Sequence, residues 1–189
     1  MVRAMTLRRR NRLAAMRSVQ TTAVTLFESG GFEATTVEDI ARVCGVSAST
    51  IYRYFCTKEG LVLWDERDEM VDSELATRLA SQPPHEAFRD AVAVAFGGRE
   101  DSDLLLRRFR LVYAEPAIWA AAAHQDRINR SELADAFAAV EGRSQAELQD
   151  TLAAAVCLTA VDVAFEEWQR DPSVRDLADV IVDAVDRLC

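Results

Sequence analysis

Apolar side chains recur at three- and four-residue intervals along most of the chain, and no segment sustains an alternation of period two. The first periodic segment covers about 10–29, where Leu13, Met16, Val19, Ala23, Leu26 and Phe27 mark one side of a helix. It stops at Gly30-Gly31, residues able to take the left-handed conformation that closes a helix. After Thr35-Thr36, the run Val37-Glu38-Asp39-Ile40-Ala41 predicts a short helix, with a threonine to cap its open amides and two acids to complement its positive start. That helix reaches Cys44 and breaks at Gly45, and Ser47 then caps a second short helix ending at Phe55. Two short helices joined by a tight glycine-containing turn predict a helix-turn-helix. Thr57 caps a long predicted helix through Lys58, Leu61, Leu63, Trp64 and Met70 towards Leu79, ended by Pro83-Pro84. Further helices are predicted at about 84–96, 101–113, 116–140, 144–170 and 174–188, with breaks at Gly97-Gly98, Pro116, Gly142 and Pro172. The expected fold is all-α with about nine helices: a three-helix domain over 1–57, whose first nine residues form a basic arm, and a second helical domain over 58–189.

Charge changes this picture once it is divided along the chain. The net charge of -9 disfavours a nucleic-acid partner for the whole, yet residues 1–60 hold nine Lys and Arg against five Asp and Glu, and residues 61–189 hold thirteen against twenty-six. The first part is therefore +4 and the second -13. Six arginines (Arg3, Arg8, Arg9, Arg10, Arg12, Arg17) and no acid lie in the first twenty residues, a concentration that suits a polyanion. The four cysteines (Cys44, Cys56, Cys157, Cys189) lie far apart with no zinc-site spacing. Cys44 and Cys56 flank the second short helix, so a redox switch is conceivable, but buried bystander thiols fit better. The longest uncharged run, 151–161, is too short to span a bilayer and the arginine-rich start lacks an apolar signal core, so a cytoplasmic protein with no membrane partner is expected. Only two histidines (His85, His124), no glycine-rich phosphate loop and no triad are present, so no enzyme, metal or cofactor is expected.

On the helix over 48–55, a rotation of about 100° per residue puts Ile51 and Phe55 on one face and Ser49 and Arg53 on the other. Ile40, Ala41 and Val46 offer the apolar pair a core, so Ser49 and Arg53 face outward, with Tyr52 on one flank and Thr50 and Tyr54 on the other. An outward arginine can make paired hydrogen bonds to guanine in the major groove, and hydroxyls beside it can reach phosphates. Lys58, the one lysine of the chain, sits badly with the positive end of a helix, and a phosphate would explain it.

The string TTVEDIARVCGVSASTIYRYFCTKEGL resembles the DNA-binding region of the TetR family of transcriptional regulators, over about residues 10–64. The shared features are a phenylalanine after a glycine, Thr-Thr before an acidic turn, Gly-Val-Ser, Tyr-x-Tyr-Phe and the following Lys-Glu. The resemblance implies that Thr36, Tyr54 and Lys58 hold phosphates and that Ala48, Ser49, Tyr52 and Arg53 face the groove, with Ser47 and Thr50 beside them. Many relatives carry a basic residue or glycine where this chain has Ala48-Ser49, which leaves more of the readout to Arg53. It also implies a homodimer on a near-palindromic double-stranded operator, and a carboxy-terminal domain that binds a small effector, as in a bacterial repressor.

Two apolar stripes lie on the last two predicted helices; such stripes can simply close the monomer, yet this is the position at which TetR relatives build a four-helix dimer interface. The first is Leu148, Leu152, Ala155, Thr159 and Val163, and the second is Leu177, Ile181, Ala184 and Leu188. Ligand-pocket candidates are the aromatics Trp64, Phe109, Tyr113 and Trp119, with Arg107 and Arg110 to meet an acidic head group, although Asp103 could pair with Arg107 on the surface instead. The stretch RRFRLVYAEPAIWA resembles the sensor domain of mycofactocin-type regulators, which hints at a fatty acyl effector. The alternatives are a helical protein-interaction module without specific DNA binding, or an enzyme.

Overall fold

The computed structural model describes residues 7–98, 102–173 and 175–187. It is all-helical, with ten helices and no strand among the described residues. The reading head is built as its local residues dictate. Helix α1 (Leu7–Gly30) buries Met16, Gln20, Ala23, Val24 and Phe27 along one stripe and closes at Gly31, whose φ of 85° is left-handed. Helix α2 (Val37–Cys44) starts at Thr36, whose hydroxyl accepts from the Asp39 amide while the Asp39 carboxylate accepts from the Thr36 amide. Gly45 ends it at φ 68°. Ser47 then caps α3 (Ala48–Phe55) by accepting from the Thr50 amide. Ile40, Ile51, Phe55, Leu61 and Val62 close the core beneath them, with the Phe27 and Phe32 rings edge-on at 4.9 Å.

The long helix expected after Thr57 is two helices, which accounts for ten rather than about nine. Thr57 accepts from the Gly60 amide at 3.0 Å, and α4 (Gly60–Leu63) lasts one turn before Trp64 turns to ψ 130°. A helix end leaves carbonyls without partners, and here side chains distant in sequence supply them. The Arg108 guanidinium donates to the carbonyls of Val62 (2.6 Å) and Leu63 (3.1 Å), and Gln20 Nε2 donates to that of Trp64 (2.7 Å). This also explains a glutamine on the apolar stripe of α1. Asp65 then grips Arg67 through two hydrogen bonds of 2.7 Å, and α5 (Asp68–Arg78) begins.

The chain divides into two compact units, Met1–Trp64 with Asp103–Ala122, and Asp65–Ser102 with Ala123–Cys189. The units do not follow chain order, because α7 (Ser102–Ala114) and the start of α8 (Pro116–Val140) pack in the first unit. Leu111 and Ile118 enter its core. Arg107 on α7 forks onto Glu28 of α1, with Nη2 2.6 Å from Oε2 and 2.8 Å from the Thr25 hydroxyl.

In the second unit α5 packs on α6 (Pro84–Phe96), which meets α9 (Leu148–Trp168) and α10 (Leu177–Asp186). Alanines at the contact faces (Ala87, Ala91, Ala95, Ala154, Ala160, Ala164) let the helices approach, while Phe88, Phe137 and Trp168 fill the volume between them. By length and composition α9 would pass for a membrane span, a property it shares with core helices of soluble proteins; its side through Ala154, Cys157, Ala160 and Ala164 is buried within the unit.

Helix α9 opens with a charge pair of a buried aspartate and a half-buried arginine. Asp150 accepts from the Glu147 amide at 2.8 Å and from both terminal nitrogens of Arg143. The Arg143 hydrogen bonds, then the Glu147 amide, hold its carboxyl at about 2, below the ordinary 3.8. A carboxylate with a depressed folded-state pKa adds stability above its unfolded value and loses it as pH falls through the folded one. The thermal midpoint of the wild type should therefore fall between pH 4 and pH 2, and Asp150→Asn should flatten that fall while lowering the midpoint at neutral pH. Calorimetry across this window would discard the assignment if the two profiles were parallel.

Candidate nucleic-acid interface

The helix-turn-helix displays its second helix as the residue pattern requires. Ile51 and Phe55 are buried, and Ser49, Tyr52 and Arg53 are exposed. The Ser47 hydroxyl lies 2.9 Å from that of Ser49 and 2.8 Å from that of Thr50, a small cluster of rotatable donors at the positive start of α3. Arg53 extends over the ring of Tyr54, 4.8 Å from its centroid, and its Nη2 donates to the phenolic oxygen at 3.4 Å. Tyr54 is itself half-buried against the core, so the arginine rests on a fixed ring.

Three of the expected contact residues have further duties. Ala48 is half-buried and packs on the core, so its methyl supports α3 at least as much as it faces a groove. Thr36 is exposed, but its hydroxyl donates to Asp39 at 2.5 Å and accepts from the Asp39 amide. That bond, followed by one from Arg42, holds the Asp39 carboxyl at about 2. Lys58 sits in the turn before α4, with its ammonium 4.1 Å from the Phe32 ring centroid and 5.9 Å from that of Phe27. Two ring faces thus stabilise the cation that seemed misplaced beside a helix start. Cys44 is half-buried and Cys56 exposed; Cys56 takes φ 61° in the turn where the Thr57 amide returns to the Phe55 carbonyl at 2.6 Å.

The six pocket candidates all fall in the same compact unit as the helix-turn-helix. Trp64 packs edge-on against Phe55 at 5.7 Å, so it supports the reading head. Arg107 is held by Glu28 and Thr25, with Asp103 a third partner at 3.8 Å, so of the two readings open to it the surface pairing is the one seen, with Glu28 as its main partner. Arg110 is exposed and Phe109 half-buried. Tyr113 and Trp119 are exposed and face one another at 5.5 Å. Of the dimer candidates, Leu148, Leu152 and Val163 are 75%, 57% and 54% exposed, Thr159 is exposed and Ala155 half-buried. Val156, 39% exposed, joins that face. On α10, Leu177 and Ile181 are buried inside their own unit, where they serve to close the monomer; Ala184 is half-buried, and Leu188 lies outside the described residues.

The family profile described as "Bacterial regulatory proteins, tetR family" matches residues 21–63, and that described as "MftR C-terminal domain" matches residues 82–189. The chain belongs to the TetR family. It is a TetR-family transcriptional regulator with an MftR-type carboxy-terminal domain. It is 25% identical over 170 residues to a protein of Mycobacterium tuberculosis named as the mycofactocin biosynthesis transcriptional regulator MftR, covering 87% of this chain and 85% of the relative. To the HTH-type transcriptional regulator TcmR of Streptomyces glaucescens it is 28% identical over 178 residues, covering 88% and 79%. Among solved structures, the SmeT–triclosan complex superposes with a TM-score of 0.59 at 15% identity, covering 93% of this chain and 90% of that one. Thermus thermophilus FadR in complex with lauroyl-CoA gives 0.55 at 24%, covering 92% of each. These two likenesses establish the shared fold.

Proposed function

We propose that this regulator is a repressor that binds a near-palindromic operator as a homodimer and is modulated by a small, mostly apolar effector. The functional division runs near residue 57, with DNA reading before it and effector sensing and dimerisation after it. The observation that carries the reading is α3, whose Ser49, Tyr52 and Arg53 stand clear of the core that Ile51 and Phe55 fill. Ser47, Ser49 and Thr50 supply hydroxyls for phosphates at the helix start, and Arg53 is the base reader. The outward apolar face of α9 supports the dimer. Two equivalent α3 helices held by a two-fold axis demand related half-sites about one helical turn apart or more.

Acyl thioesters and fatty acids come first in a screen for the effector, a choice supported by the resemblance of the stretch RRFRLVYAEPAIWA to the sensor domain of mycofactocin-type regulators. With Arg107 committed to α1, the acidic head of such a ligand needs another partner. A ligand that prefers one arrangement of the two heads shifts operator affinity by its differential affinity alone, about 5- to 150-fold for a coupling of ~1–3 kcal/mol.

Arg53→Ala tests the reading. Lost base contacts should cost about 1–3 kcal/mol on a duplex selected from a random pool and should relax preference at one position of each half-site. Unchanged affinity and unchanged preference in a binding-and-sequencing assay would refute the groove assignment.

A further inference from the structure

The outward row of α9 is not apolar to its end. At about 100° per residue, Leu148, Leu152, Ala155, Thr159 and Val163 fall on the side opposite buried Ala154, Cys157, Ala164 and Trp168, and Asp162 and Glu166 fall on that same outward side. Both acids are exposed on the single chain. From α8, Asp126 adds a third negative charge that acts on Asp162. All three residues belong to the second compact unit.

Asp162 has little to hold its charge. Among the described residues its carboxylate accepts no hydrogen bond and has no ion-pair partner. The protein around it withholds water, and Asp126 and then Glu166 repel it, so its carboxyl stands at about 6 rather than the ordinary 3.8. Asp126 is pushed up as well, again by loss of water, with Arg130 of α8 pulling the other way. No charge of α6 or α10, the other helices packed on α9, acts on Asp162 among the described residues. Charged residues are depleted from the cores of protein seams, so acids set into this row call for a function.

We propose that association through α9 is linked to proton uptake at Asp162, so that the dimer, and operator binding with it, tightens as the solution becomes mildly acidic. This rests on the dimer reading and adds its regulation. Closing two copies over the row removes more water from each Asp162 and brings a second set of the same carboxylates nearer. Both effects disfavour the ionised form, so the dimer binds more protons than two separate protomers. The equilibrium therefore moves towards the dimer as pH falls through the range where this carboxyl titrates, and away from it as pH rises. Two symmetric sites act together, which doubles the dependence.

The test is sedimentation of the full-length protein at fixed salt from about pH 7.5 down to about pH 5.5, the span in which such a carboxyl changes charge. If assembly raises each Asp162 carboxyl by a further ~0.5–1 pH unit, the dimer dissociation constant should be roughly 4- to 20-fold smaller near pH 6 than near pH 7.5. Asp162→Asn should give a flat profile and, near pH 7.5, a dimer about as tight as the wild type near pH 6. Asp126→Asn should move the wild-type profile to lower pH, since it removes one repelling charge. Two variants serve as controls that should keep the wild-type profile. Glu132→Gln makes the same change of net charge on another side of α8, and His124→Gln removes an exposed imidazole of a class that titrates in this range. Operator titrations should follow the same order.

A pH profile shared by the wild type and Asp162→Asn would overturn the proposal, as would an Asp162→Asn dimer weaker than the wild type at neutral pH. Equal flattening by Glu132→Gln would overturn it in favour of the general charge of the protein. Leu152→Glu, in the middle of the row, separates this proposal from the reading beneath it. If that variant remains a dimer at every pH, the α9 seam fails and the proton link falls with it. If it is a monomer while Asp162→Asn keeps the wild-type dependence, the seam stands and the proton link alone is lost.

Discussion

Leu152→Glu is expected to give a folded monomer that no longer retains operator DNA at concentrations where the wild type is saturated. Leu152 is 57% exposed on a single chain, in a row with Leu148, Val156 and Val163 along one face of α9, so glutamate there should leave the monomer's packing untouched. In the proposed dimer the same face meets its own copy, and a two-fold interface presents each substitution twice. Two unpaired carboxylates forced into an apolar seam cost about 3–5 kcal/mol, or roughly 150- to 4,000-fold in the dimer dissociation constant. Operator binding should fall with it, since two heads tethered to each other engage one duplex far more strongly than either alone. Sedimentation should report about 21 kDa for the variant and twice that for the wild type, with similar thermal midpoints at low protein concentration. A variant that stays dimeric with native operator affinity would remove α9 from the interface. Glutamate at Leu177 or Ile181 is no equivalent test, since both are buried in their own unit and the change would unfold it.

The fate of those two stripes shows where a sequence is informative. Periodicity marks an apolar face but does not say what covers it: the α9 row turns outward, whereas Leu177 and Ile181 of α10 are consumed within the unit. The helix-turn-helix was readable because each of its signals has a local cause. Thr36, Gly45 and Ser47 act on backbone groups within four residues of themselves. The end of α4 was not readable, because Gln20 and Arg108, which satisfy its carbonyls, each lie more than forty residues away. Lys58 shows the same limit in milder form. Its conflict with a helix start was correctly sensed, but Phe27 and Phe32, which relieve it in the free protein, come from a preceding turn of chain. The pocket candidates are bulky residues on helices that must pack, and composition alone does not assign them to the unit of the reading head.

Arg107 and Arg108 are neighbours on α7, yet their removal should have very different consequences. Arg107→Ala breaks a forked pair with Glu28 whose carboxylate is about one-third exposed, so solvent already screens much of the attraction. The expected cost is below about 1 kcal/mol. Arg108 is half-buried and donates to two main-chain carbonyls at the close of α4. Alanine would leave both without that donor in a partly dry site, and hydrogen bonds from a charged group are worth about 1.5–3 kcal/mol each way. Counted as one such contribution, that lowers the thermal midpoint of a chain of this size by roughly 3–12 °C. The loss should also be local. Amides of 60–64 should exchange faster in Arg108→Ala, because the short α4 has one turn of its own hydrogen bonds and depends on this outside cap. Since α4 is the segment that leads out of the reading head, the same variant should bind the selected duplex more weakly than Arg107→Ala does. Equal melting temperatures and equal exchange at 60–64 for the two variants would show that Arg108 is an ordinary surface arginine and that α4 ends for some other reason.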